Sequence, residues 1–84
     1  MKLQDAKARI ATALTGPGIH NDVRPEVAAA KDWAEMKELM LDRLGREELL
    51  TAVGTCRVPI TGTQLRRLNK PTAVGELGKH LGLE

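Results

Sequence analysis

The side chains with reactive potential are few: one cysteine, Cys56, and two histidines, His20 and His80. A Cys/His pair runs nucleophilic catalysis when a base or a nearby charge lowers the thiol pKa and donors stand ready for an oxyanion. Cys56 lies in a polar, basic stretch far in sequence from both histidines, and a lone cysteine in a short chain reads as a small packing side chain. One Cys and two His at these distances lack the paired spacing of a structural zinc site, so no metal is expected. Glu35, Glu38 and Asp42 share a helical stripe with Lys31, which is the pattern of a solvated face rather than of an acid pair in an apolar pocket. Gly75-Glu76-Leu77-Gly78-Lys79-His80 ends like a phosphate loop. His80 replaces the required Ser/Thr, however, and Ala73 stands where the leading glycine belongs. The same glycines have the spacing of a KH loop, but Glu76 and Leu77 between them do not suit a nucleotide backbone. No enzyme, cofactor or metal is read from these residues.

Charge offers more. The net value is +2, yet the chain divides into a basic start (+2 over residues 1–15), an acidic middle (−3 over 16–54) and a basic end (+3 over 55–84). If the ends meet in space, one face becomes electropositive; the expected outcome is that folding mixes the charges instead. The basic end carries Arg57, Arg66, Arg67, Lys70 and Lys79, candidate contacts for nucleic acid or an acidic partner. No aromatic residue accompanies them to stack bases.

Positioning these residues falls to helices. The chain has 84 residues, one Trp, and neither Tyr nor Phe. That length makes a single domain over 1–84, and a core of Leu, Val, Ile, Ala and Met favours helix over sheet. Leu3, Ala6, Ile10, Ala13 and Leu14 recur at helical spacing, with Asp5 and Arg9 four apart as a pair worth ~0.3 kcal/mol; Gly16 and Pro17 end this helix. A long central helix is expected over 25–44, with Trp33, Met36, Met40 and Leu44 along one side. A third is expected over 46–53, closed by Gly54, followed by an extended connector to Ile60. Thr61 and Gln64 have capping-box spacing, flanked by Ile60 and Leu65 as a hydrophobic staple, so a helix starts at Thr61. It ends near Asn69, because Pro71 disfavours helical geometry at Lys70, and a last helix over 72–81 stops at Gly82. Gly75 and Gly78 inside it each cost about 1 kcal/mol relative to alanine, which either close packing of another backbone or a frayed, irregular last helix would explain. The fold class is all-α: a small bundle of four to five short helices around the central one.

The piece Pro71 to Leu83, with its Glu76-Leu77 and Leu81-Gly82-Leu83, resembles the first helix and turn of many bacterial helix-turn-helix domains. The resemblance covers 13 residues and stops ahead of the place where such domains carry a recognition helix. It implies DNA binding or transcriptional regulation only if the reading element comes from elsewhere. Trp33, Met36 and Met40 admit two readings, a protein-binding stripe of aromatic anchor and adaptable methionines or simply the core of a chain with little other large apolar material. A core this small calls for a protein partner or a second copy of the chain. The leading expectation is therefore a small non-catalytic interaction protein: an adaptor, inhibitor or assembly factor, of a size that suits a phage or other mobile element. Nucleic-acid binding through the basic C-terminal helices is the alternative. A single cysteine, no apolar run of membrane-spanning length and no export-type N-terminus point to the cytoplasm.

Overall fold

Six helices carry the chain among the residues the structure, a computed structural model, describes, namely 2–16 and 18–84. They are α1 (Leu3–Ala13), α2 (Arg24–Ala29), α3 (Trp33–Arg43), α4 (Arg46–Thr55), α5 (Gly62–Arg67) and α6 (Lys70–His80). The all-α class is as the composition predicts. Met1 and Pro17 lie outside the described residues, so the proposed stop at Pro17 does too; α1 has already ended at Ala13.

Packing runs in a ring: α1 touches α2 and α4, α2 touches α3, and α6 closes the circle against both α3 and α4. The buried faces meet inside it, Ala6 and Ile10 of α1, Met36 and Met40 of α3, Leu49 and Val53 of α4, Val74 and Leu77 of α6. No helix is central in the expected sense, because the stretch 25–44 is two helices. Ala30 is extended, Asp32 accepts from the Glu35 N–H at 2.9 Å, and the Glu35 carboxylate accepts from the Lys31 N–H at 2.7 Å. Hydrophobic spacing continues through the break, so periodicity does not reveal it; the capping residues Asp32 and Glu35 do. The break lets α2 lie on α1 while α3 turns to α6.

The helix expected to close at Gly54 runs on to Thr55 and ends in a Schellman motif. Val58 N–H donates to Val53 C=O at 3.2 Å and Arg57 N–H to Gly54 C=O at 3.1 Å. Arg57 takes the left-handed conformation, φ +58°. The same motif ends α6, with Leu83 N–H on Gly78 C=O and Gly82 N–H on Lys79 C=O, and there the left-handed residue is Gly82 at φ +74°.

Thr61 opens α5 as expected, with both capping-box bonds made at 3.1 and 3.2 Å. Asn69 does not end that helix but starts the next one, its side chain accepting from the Thr72 N–H at 2.9 Å. Lys70 is accordingly the first residue of α6, since a proline in the first turn lacks only an N–H that has no partner within the helix. The reason for Gly78 is a side chain rather than a backbone: a Cβ there would stand 2.5 Å from the Trp33 ring. Gly75 meets nothing closer than Glu84, at 3.8 Å.

Candidate functional site

Met36 and Met40 are fully enclosed, so of the Trp33, Met36 and Met40 stripe only the half-buried Trp33 reaches the surface, and the stripe serves the core. The indole lies across Gly78 beside Glu84, whose carboxylate binds Lys37 at 3.1 Å. The Lys37 hydrogen bond holds the Glu84 carboxyl below its ordinary range against some burial, helped by the nearby indole N–H. That buried Nε1 closes no well-formed hydrogen bond itself.

The basic candidates do not share one cluster. Arg66 and Arg67 are exposed at the end of α5, and neither pairs with an acid among the described residues. Arg67 lines a groove of about 320 Å³ between the 58–60 connector, α5 and α6, floored by Pro59, Ile60 and Leu68, with Glu76 also lining it. Lys79 approaches that same Glu76, at 3.9 Å, and Lys70 is half-buried. Arg57 belongs to a different place, a cleft of about 430 Å³ shared with Arg9, Thr12, Thr55 and Cys56. The expected Asp5–Arg9 ion pair is not formed among the described residues.

Burial pushes the Cys56 thiol up, and the Arg9 charge offsets only part of that. At neutral pH the sulfur is a protonated thiol, and neither histidine lines its cleft. Glu35, Glu38 and Asp42 are all exposed, as a solvated stripe requires. Among the described residues no three His, Cys, Asp or Glu side chains are placed to share a metal ion, and no helix is long and apolar enough to cross a membrane.

Two polar residues tie separate elements together, mostly through bonds with no local signal. Glu48, 6% exposed, accepts from the backbone N–H groups of His20, Asn21 and Gly45 at 2.9 to 3.1 Å. Burial alone would raise its pKa, but the Gly45, Asn21 and His20 amides outweigh it and hold the carboxyl below its ordinary range. Arg46 spends its guanidinium on the carbonyl end of α5, reaching Leu68 at 2.8 Å, Arg66 at 2.9 Å and Leu65 at 3.2 Å. A Glu at the third position of a helix signals the Gly45 bond. Nothing local signals the others. Comparison with protein families, curated proteins and solved structures finds no match for this chain.

Proposed function

We propose that the chain is a non-catalytic protein-interaction module that receives an apolar-anchored segment of a partner protein in the groove between the 58–60 connector, α5 and α6. The observation behind this reading is the make-up of that groove. Pro59 and the half-buried Ile60 stand at an open surface over Leu68, and Arg67 and Glu76 are available to orient a ligand by charge. Its wall α5 contributes no fully buried residue and is tied down through Arg46. A helix held by one side chain's hydrogen bonds and the half-buried Leu65, rather than by a fully buried face, has freedom to adjust to an incoming segment.

Light scattering after size exclusion, followed by capture from a host lysate with wild-type and Ile60→Glu chains, tests the reading. The wild type retains a protein that Ile60→Glu loses while its helical circular dichroism is unchanged; a monomer that retains nothing overturns it. Nucleic-acid binding has less support, because Glu76 sits between Arg67 and Lys79 where a phosphate track would need a base. Heparin retention above that of a charge-matched control, lost in Arg66→Ala with Arg67→Ala, would favour it instead.

A further inference from the structure

At the C-terminal end of α4, two arginines from distant parts of the chain line one cleft. Arg9 comes from α1 and Arg57 from the turn after α4, with Ala8, Thr12, Thr55 and Cys56 as the other walls. Neither guanidinium donates a hydrogen bond to a protein acceptor or lies within 4 Å of a carboxylate among the described residues. The carbonyls that Arg57 could have neutralised, those of Val53 and Gly54, already accept from the Schellman amides. Both positive charges are therefore left without an internal acceptor among the described residues.

The backbone adds a second observation. Arg57 holds φ +58°, a conformation in which glycine is the unstrained choice and in which α6 does use glycine, at Gly82. An arginine side chain is thus carried at a strained position while its donors remain unused, and strain of this kind clusters where a side chain serves a ligand. The cleft, about 430 Å³, has room for a small organic molecule as well as its charged group.

We infer that Arg9 and Arg57 form a binding site for the phosphate group of a small ligand. Two guanidinium forks match a dianion with several acceptor oxygens, whereas a single carboxylate would satisfy only one of them. Thr55 lines the same cleft, and a threonine hydroxyl can donate. The Thr12 hydroxyl is already committed to Ala8 C=O at 3.0 Å. The site shares no lining residue with the α5–α6 groove, and its occupation does not depend on a protein partner.

Cys56 is the chain's single cysteine, so its alkylation by iodoacetamide reports on this cleft alone. A phosphate beside it disfavours the thiolate, the nucleophilic form, and blocks access. With the whole chain at pH 8, inorganic phosphate should slow alkylation saturably by threefold or more (on the order expected for a half-unit pKa rise), while sodium chloride at matched ionic strength does not. Phosphate should also raise the melting temperature. Phenyl phosphate serves as the ester probe: saturation at lower concentration than inorganic phosphate marks an organic phosphate as the ligand, and equal saturation marks the free ion. Both protection and the melting shift should vanish in Arg9→Gln and in Arg57→Gly, the latter suited to the left-handed backbone and so folding at least as well as wild type. Phosphate no better than chloride, or protection that survives in either variant, would overturn the assignment.

Discussion

The two ends of α4, about 15 Å apart for a helix of ten residues, handle charge in opposite ways. At the N-terminal end Glu48 is buried and its carboxylate is surrounded by backbone donors from the 20–21 loop and Gly45, while Arg46 caps α5. At the C-terminal end Arg57 and Arg9 face a cleft with their donors unspent, and one of them holds a left-handed backbone. A charge whose partners are all internal is part of the fold's construction. A charge with none, kept at a conformational cost, is available for something outside the chain. The end of α6 is the control, since it makes the Schellman bonds of α4 with glycine in the left-handed place.

The largest test of this contrast is Glu48→Ala. Removing a buried carboxylate leaves three amides without acceptors and should lower stability by about 3 kcal/mol in urea denaturation. A loss under about 1 kcal/mol, the net worth of one ordinary hydrogen bond, would make the joint incidental. The pH dependence carries the same information. A carboxyl whose folded pKa is depressed contributes stability above its ordinary value of 4.5, and that contribution is lost as pH falls through the folded value. Glu48→Gln should therefore lose stability at pH 7 and flatten the stability curve as pH falls below about 5, as read by melting temperature.

Arg46→Ala should cost about 2 kcal/mol, with the loss concentrated in α5: amide exchange there should quicken more than in α1 or α4. Uniform exchange would mean that α5 is not held by this side chain. Arg57→Gly should stabilise the chain by about 1 kcal/mol, whereas Gly82→Ala, the same change of type reversed at α6, should destabilise by a similar amount. Equal signs for the two would end the comparison. The smallest effect is at Gly54, inside α4, where an added Cβ would meet nothing within 4 Å. Gly54→Ala should add about 0.5 kcal/mol to the thermal stability.

Much of the frame is legible along the chain. The apolar spacing in α1 names its buried residues Ala6, Ile10 and Ala13, and Thr61 with Gln64 marks the start of α5 from two side chains three apart. Asp32 and Glu35 carry an equally local signal, masked because the apolar stripe runs unbroken from Val27 to Met36 and a pattern shared by two helices looks like one. Asn69 is ambiguous in itself, because the same side chain serves to end one helix or to open another. Of the candidate surface residues, Met36 and Met40 face inward, and a stripe at helical spacing does not say which of two apolar faces it joins.

By itself the sequence determined the all-α class, a core built without Tyr or Phe, the capped start of α5 and the glycine that ends α6. These follow from interactions between residues within one or two turns of each other, which spacing records directly. Only the tertiary structure decided that α1, α2, α3, α6 and α4 close into a ring, that Glu48 holds the loop at His20 and Asn21, and that Arg9 and Arg57 line one cleft with Cys56. Those partners are brought together by the packing of whole helices, and the position of one helix on another depends on every side chain between them, a sum that no local pattern contains.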